Sequence, residues 1–153
     1  MHITVIGAGR MGMAHIETLA SLPGVGELSI ADRDADRARA AVDQIAANRI
    51  PAHATTRARA VPVDAAFADR ADGLVIVAPT SEHADLVIRA IDSGIPVFCE
   101  KPVAENVSRT RLVVERWAGA TVPVQIGFQR RFDPGYVSAR AALQAGDLGS
   151  LRR

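Results

Sequence analysis

Short apolar runs alternate along the chain with stretches whose apolar residues recur at helical spacing. The apolar runs have the length and the β-branched character of buried strands. They predict strands at residues 2–6, 27–31, 73–78, 95–99 and 122–127. The amphipathic stretches predict helices at residues 13–21, 34–49, 81–93, 106–118 and 135–145. Because strand and helix alternate, we predict an α/β fold with a doubly wound parallel sheet and right-handed crossovers, the Rossmann arrangement.

The helix ends and the least periodic segment allow finer predictions. Asp34 and Ser81 are residue types that cap helix N-termini, and each precedes a predicted helix. Three apolar side chains of the 106–118 helix are expected to point inward: Leu112, Val113 and Trp117. Residues 51–62 have little apolar periodicity, so only a short strand at 53–55 is predicted there, followed by a short helix at 63–69.

A glycine-rich loop with the sequence GAGRMG at residues 7–12 joins the first strand to the first helix. Gly7 is expected to allow the tight turn, Gly9 to let a pyrophosphate approach the backbone, and Gly12 to let the helix pack closely on the sheet. Free N–H groups at the start of the helix would bind the phosphates, and Arg10 and Met11 are predicted to lie against the same ligand. The alternative is a plain strand-to-helix corner, since such glycine loops are common.

An acid at the end of the second strand favours the dinucleotide interpretation over a plain corner. Asp32 follows Gly12 by 20 residues, which is near the spacing of a carboxylate that accepts the ribose hydroxyls of NAD. The same carboxylate would repel the 2′-phosphate of NADP, although the neighbouring Arg33 could reduce that repulsion. The predicted cofactor is therefore NAD, with Asp32 and Arg33 beside it.

Two further segments follow strands at the carboxyl edge of the predicted sheet, where ligands bind in such folds. After the 73–78 strand, four residues are candidates for contact with the cofactor: Ala78, Pro79, Thr80 and His83. Thr80 could instead serve only the helix N-terminus, and His83 is interpreted as structural rather than catalytic. After the 95–99 strand come two more cofactor candidates, Glu100 and Lys101, and Lys101 is the only lysine of the chain.

Composition narrows the class of protein. With 153 residues the chain suits one domain, and 48% hydrophobic with 23% charged residues is a globular composition. The apolar runs are too short to span a bilayer, no export leader is evident, and the single cysteine, Cys99, permits no internal disulfide. A cytoplasmic location without a membrane partner is therefore expected. The net charge of +1 argues against a nucleic-acid partner, and no metal site is predicted.

Four motifs occur in an order that is found in a known family: GAGRMG at 7–12, VAPTSEH at 77–83, CEKPVA at 99–104 and QIGFQRRFDP at 125–134. Together they resemble the Gfo/Idh/MocA oxidoreductases, and among these the inositol 2-dehydrogenases most closely. The resemblance implies that Lys101 is catalytic, beside the nicotinamide and against the substrate hydroxyl, and that the Lys101–Pro102 peptide is cis. It also implies that Arg130 and Arg131 lie near a polyol or sugar substrate, in a segment that links two domains.

The same resemblance implies a second, α+β domain that supplies an Asp and a His, the His acting as general base; no such pair occurs in these 153 residues. We therefore expect residues 1–127 to form the dinucleotide-binding domain, and residues 128–153 to form the linker and the start of the absent substrate domain. The expected function is the NAD-binding half of an enzyme that transfers hydride from a polyol secondary alcohol to NAD. The alternatives are a stand-alone dinucleotide-binding module or a truncated fragment without catalysis. Phe128, Phe132 and Tyr136 are expected to be exposed and to promote association, a homo-oligomer included.

Overall fold

A computed structural model describes residues 1–47, 50, 53, 56–68 and 70–150. The strands are β1 (His2–Ile6), β2 (Glu27–Ala31), β3 (Arg57–Val61), β4 (Gly73–Ile76), β5 (Val97–Glu100) and β6 (Val124–Gly127). The helices are α1 (Arg10–Ser21), α2 (Ala35–Ala46), α3 (Ala65–Ala68), α4 (Thr80–Asp92), α5 (Val107–Ala118) and α6 (Pro134–Ala145), with a 3-10 helix at Gln129–Phe132 before α6. No helix in these ranges is long and apolar enough to cross a membrane.

The described strands form one parallel sheet with the order β3-β2-β1-β4-β5-β6. The predicted doubly wound sheet is therefore confirmed. The chain winds outward from β1 to β3, returns to the centre, and winds outward again from β4 to β6. Ile6 at the end of β1 lies beside Ala31 on β2 and Ile76 on β4. The crevice beyond these three strand ends is where folds of this kind bind ligands.

Side chains of the sheet point alternately into two apolar clusters, one on each face. Val5 lies in the cluster that includes side chains of α1 and α2, whereas its neighbour Ile6 lies in the cluster that includes α4. Cys99 belongs to the second cluster, and its burial, with a smaller effect of the Glu100 charge, raises the pKa of its thiol to about 12. A buried thiol that stays neutral serves as a small apolar packing group.

Two predicted helix starts are wrong, each for a local reason. α1 begins at Arg10 rather than at residue 13, because Gly9 occupies the N-cap position and the end of the glycine loop forms the first turn. α4 begins at Thr80, since Pro79 keeps an extended backbone (φ −57°, ψ 143°) and lets the helix start directly after it. Ser81 therefore lies within the first turn and is not the cap. The predicted cap Asp34 is confirmed, because its side chain accepts a hydrogen bond from the Asp36 N–H.

The predicted inward face of α5 is wrong at two of three positions. Val113 is buried, but Leu112 and Trp117 are each 46% exposed. α5 leads from β5 to β6, which lies at the edge of the sheet. A narrow stripe of the helix, with Val113, therefore packs on the sheet. The Trp117 indole Nε1 instead donates to the Val122 carbonyl at 3.0 Å.

The segment between α2 and β4 is where the sequence pattern predicts least. The pattern does not predict β3, because this strand pairs only with β2 and exposes its arginines. Arg59 Nε donates to Glu27 Oε1 on the neighbouring strand at 2.8 Å, as suits a polar edge strand. The strand predicted at 53–55 includes residues 54 and 55, which lie outside the described residues. The predicted end of α2, at residues 48 and 49, also lies outside them. The helix predicted at 63–69 is confirmed as the shorter α3.

Candidate functional site

Two glycines of the loop between β1 and α1 leave no room for a side chain. Gly7 has φ 109°, and a Cβ there would lie 2.6 Å from the Val77 carbonyl oxygen. A Cβ at Gly12 would lie 1.9 Å from the Gly7 carbonyl oxygen. The Gly7 N–H donates to the Ala31 carbonyl at 2.7 Å, which ties the turn to β2. The predicted tight turn and the close packing of α1 are therefore both present.

Gly9 has a different environment. No heavy atom lies within 4 Å of the position that a Cβ would take, and the backbone has an ordinary φ of −75°. The packing of the protein therefore gives no reason for a glycine at this position. The open space adjoins the start of α1, where the first N–H groups of a helix have no intrahelical acceptor and no side chain caps them. A pyrophosphate fits this arrangement, because a Cβ at Gly9 would occupy its approach to these groups.

The Asp32 carboxylate is fixed by the backbone on both sides. Its Oδ2 accepts a hydrogen bond from the Ala8 N–H at 2.7 Å, and its Oδ1 accepts one from the Asp34 N–H at 2.8 Å. Each oxygen retains a further lone pair, and the side chain is partly exposed. Asp32 therefore holds two acceptors in a set orientation beside the glycine loop, as the ribose hydroxyls of a dinucleotide require.

A cavity of about 330 Å³ joins these features. It brings together eight of the predicted cofactor residues: Gly7, Gly9, Arg10, Met11, Asp32, Arg33, Ala78 and Pro79. Five residues that were not predicted for this site complete its lining: Ile6, Arg37, Val63, Val77 and Glu82. Gly12 lies behind the loop, and the lining of this cavity does not include Thr80, His83, Glu100 or Lys101.

His83 is buried and positions the turn after β5. The side chain is 2% exposed, with Nδ1 at 2.7 Å from the Pro102 carbonyl oxygen and Nε2 at 2.8 Å from the Ala78 carbonyl oxygen. Both ring nitrogens thus lie at hydrogen-bond distance from backbone carbonyl oxygens, one after β4 and one after β5. This geometry agrees with the structural interpretation of His83, and its contact with the cofactor stays a prediction.

Glu100 and Lys101 lie at the carboxyl end of β5, and the Lys101–Pro102 peptide is cis, as the family resemblance implies. Glu100 Oε1 lies 3.0 Å from His15 Nε2, and Glu100 Oε2 accepts from the Lys101 N–H at 3.3 Å. Gly127 makes room for the Phe98 ring and for this carboxylate, because a Cβ there would lie 2.8 Å from Phe98 Cζ and 3.2 Å from Glu100 Oε1. Glu100 therefore links α1 to the lysine turn and does not extend into the dinucleotide cavity. The Lys101 side chain is exposed at this edge.

The roles of His15 and Gly127 are not apparent from the sequence pattern. His15 stands three residues after Gly12, on the side of α1 that meets Phe98 of β5 with ring centroids 5.5 Å apart. The His15–Glu100 contact joins residues 85 positions apart in sequence. A local motif carries no signal of such a distant pair.

Arg130 and Arg131 lie in the 3-10 helix, away from the residues that line the dinucleotide cavity. Arg130 packs over the Tyr136 ring at 5.4 Å, and Arg131 packs over the Phe128 ring at 5.3 Å. Both arginines line a separate, open cavity with Arg140 of α6. Phe128, Phe132 and Tyr136 are 50%, 73% and 58% exposed, so their predicted exposure is confirmed.

The described residues contain no group of three or more His, Cys, Asp or Glu side chains that could hold a metal ion. The polar groups at the carboxyl edge of the sheet are backbone N–H groups, carboxylates, arginines and the lysine Lys101. Among these, the glycine loop with Asp32 and the lysine turn lie at the carboxyl edge of the same sheet, after β1, β2 and β5, with β4 between β1 and β5. One extended ligand could contact both.

Inositol dehydrogenases are among the known proteins that this chain resembles. Inositol 2-dehydrogenase of Corynebacterium glutamicum (strain R) is 35% identical over 153 residues, which are 99% of this chain and 43% of the relative. The scyllo-inositol 2-dehydrogenase (NAD(+)) of Bacillus subtilis is 30% identical over 146 residues, which are 95% of this chain and 40% of the relative. The chain thus spans less than half the length of the curated relatives it matches.

A solved structure and a family model agree with these relatives. The myo-inositol dehydrogenase of Lactobacillus casei, in complex with NAD(H) and myo-inositol, superposes with a TM-score of 0.87 at 27% identity and covers 98% of this chain and 43% of that one. Residues 1–128 match the model described as "Oxidoreductase family, NAD-binding Rossmann fold". The chain therefore belongs to the Gfo/Idh/MocA oxidoreductase family, of which it contains the NAD-binding Rossmann domain.

Proposed function

We propose that this chain serves a dehydrogenase that moves hydride from a secondary alcohol carbon of a polyol, of the inositol class, to NAD. The observation that carries the proposal is the Asp32 carboxylate, held by two backbone N–H groups beside the open approach at Gly9. The names of the relatives, inositol 2-dehydrogenases, support the substrate class. Bound NAD would supply the hydride acceptor, its nicotinamide ring.

Asp32 favours NAD over NADP for an electrostatic reason. Its oxygens accept from hydroxyl groups, and its negative charge repels a phosphate at the 2′ position. The Ala8 and Asp34 N–H groups already orient both Asp32 oxygens, so the Asp32 side chain needs little further ordering when the ribose binds. Gly9 and the first N–H groups of α1 would hold the pyrophosphate, with Arg10 beside them.

Lys101 is proposed as the catalytic residue of this chain. An ammonium at the carboxyl end of β5 would stabilise the negative charge that develops on the substrate oxygen. Its backbone N–H is held by Glu100, which is itself held by His15, so the start of the lysine turn is fixed to α1. An ammonium has no lone pair and does not remove a proton. The base must therefore come from another part of the protein.

Residues 128–153 are proposed to be the linker and the start of a substrate domain, with Arg130 and Arg131 near the polyol. The exposed aromatic rings of this segment support the proposal, since such rings are normally covered. A second candidate function is a dinucleotide-binding module without turnover, acting as a sensor or as a subunit completed by another chain. It is favoured by one observation: the glycine loop and the Asp32 carboxylate are held in place by backbone contacts within the described residues.

The test is NADH formation with a panel of inositols and related polyols. The chain alone is expected to show no useful turnover, because a positioned base contributes about 10²–10⁴-fold and substrate orientation contributes further. A chimera in which residues 1–128 replace the matching part of the Corynebacterium glutamicum relative is expected to turn over a polyol, and Lys101→Ala is expected to remove that activity. Lys101→Arg is the control that keeps the charge. Turnover by the chain alone, or chimera activity that survives Lys101→Ala, would contradict the proposal.

A further inference from the structure

An ion pair spans the mouth of the dinucleotide cavity. Arg33 follows Asp32 directly after β2, and its Nη1 donates to Glu82 Oε1 in the first turn of α4 at 2.9 Å. Both side chains line the cavity. The Arg33 side chain is 82% exposed, so packing does not hold it in this position, and the Glu82 side chain is 34% exposed.

The position of Arg33 gives the pair a consequence for cofactor choice. An arginine close to the end of the second strand is the group that accommodates the 2′-phosphate of NADP in folds of this kind. Here that arginine is present, but its guanidinium is engaged by a carboxylate from the other half of the sheet. The guanidinium next to the ribose site is thereby paired and directed toward α4.

We propose that Glu82 is a specificity-determining residue, which holds Arg33 in an ion pair and so withholds it from a 2′-phosphate. NAD preference then depends on two carboxylates: Asp32 acts directly on the ribose, and Glu82 acts through Arg33. The inference rests on the proposed binding of NAD in this cavity. It makes Glu82 a positioning residue, since its bond is to Arg33.

Other cations at the cavity do not share this arrangement. Arg37 lies 3.5 Å from Asp34 on its own helix, so its partner is local. Arg10 lies at the start of α1, beside the proposed pyrophosphate position. Arg33 alone, among the arginines that line this cavity in the described residues, is paired across the two halves of the sheet.

The expected effect is small because the pair is exposed. Exposed ion pairs contribute about 0.2–1 kcal/mol, which is about a 1.4- to fivefold change in an affinity ratio. The effect should also fall as salt is added, since screening weakens charges at a surface. The measurement must therefore compare ratios of affinities for two cofactors on the same sample.

Calorimetric titration of the chain with NADH and with NADPH tests the proposal. In Glu82→Gln the NADPH affinity relative to NADH is expected to rise about 1.4- to fivefold. The matched control is Asp85→Asn, which removes a carboxylate from the same helix that pairs with Arg109 and does not line the cavity. That control is expected to leave the ratio as it is in the wild-type chain.

Arg33→Gln provides the test of mechanism. If Glu82 acts through Arg33, Glu82→Gln should give no further gain in NADPH affinity when Arg33→Gln is already present. An equal gain in both backgrounds would overturn the proposal, because Glu82 would then act by its own charge alone. An unchanged ratio in the single Glu82→Gln variant would overturn it as well. NADH binding by the wild-type chain would still support the proposed function in either case, so the two failures are distinguishable.

Discussion

The glycine loop with Asp32 and the carboxyl-terminal segment from Phe128 to α6 are built in opposite ways. In the loop, Gly7, Gly12 and Asp32 are fixed by contacts to backbone atoms of the same chain. In α6, no residue is buried, and Phe132 in the preceding 3-10 helix is 73% exposed. The first region needs nothing outside the described residues to take its shape. The second presents aromatic and basic side chains to solvent, where a further part of a protein could cover them.

This difference separates two properties of a dehydrogenase, which are binding of the dinucleotide and turnover of the substrate. Dinucleotide binding is expected of the chain by itself, because its groups are already in place. Turnover is expected only when something supplies a base and a wall for the substrate. Changes in the loop should therefore act on binding and folding, and changes in the carboxyl-terminal segment should act on association.

The largest effect is expected for Gly9→Val. A branched side chain would fill the open approach to the start of α1, so NADH binding should fall below detection. The fold should persist, because no protein atom lies within 4 Å of the new Cβ. Calorimetry for binding and circular dichroism for folding measure the two effects on one sample. Retained affinity would remove the glycine loop from the binding site.

A second large effect concerns Cys99 in the buried sheet. Burial raises the pKa of its thiol from 9.0 to about 12. The thiolate is the reactive form and the side chain is fully buried, so alkylation below pH 9 should be much slower in the folded chain than in denaturant. Mass spectrometry after timed treatment with an alkylating reagent gives both rates. Rapid labelling of the folded chain would show that β5 is not packed as described.

Gly12→Ala is expected to destabilise the fold by about 1–3 kcal/mol. Replacing glycine by alanine within a helix normally stabilises it, by about 1 kcal/mol. Here the new Cβ would lie 1.9 Å from the Gly7 carbonyl oxygen, so the clash should outweigh the gain in helix propensity. Urea unfolding of this variant beside Gly9→Ala, whose Cβ meets nothing, measures the difference. Equal unfolding midpoints would contradict the close packing of α1 on the loop.

The smallest effect is expected in the carboxyl-terminal segment. The exposed rings of Phe128, Phe132 and Tyr136 should drive weak association at high concentration. Phe132→Ser should reduce that association without lowering NADH affinity, because Phe132 does not line the dinucleotide cavity. Light scattering over a concentration series measures it. A wild-type chain that stays monomeric at high concentration would argue for an autonomous module.

The sequence predicts the parts of the molecule that depend on local chemistry. Neighbouring residues determine four features that the sequence predicts: the glycine loop, the spacing to Asp32, the cap at Asp34 and the alternation of strand and helix. The edge strand β3 is not predicted from the sequence, because it has exposed arginines instead of the apolar run that is typical of a buried strand. The burial of Leu112 and Trp117 is also predicted wrongly, because helical periodicity does not tell how wide a stripe the core will cover.

The contacts that refine the candidate site are long-range. His15 meets Glu100 across 85 positions, and Arg33 meets Glu82 across 49. Both pairs connect segments that only the strand order brings together. The sequence identifies Glu100 and Arg33 as candidates, but it assigns them to the cofactor rather than to these partners.

The most direct test of the account is a fluorescence titration of the wild-type chain with NADH and NADPH at the same ionic strength. The oriented carboxylate of Asp32 predicts measurable NADH binding that is tighter than NADPH binding, and Asp32→Asn should narrow the difference. Equal or tighter binding of NADPH would show that Arg10 and Arg33 govern the ribose site instead. Absence of NADH binding would contradict the central claim that the dinucleotide site is complete within this chain.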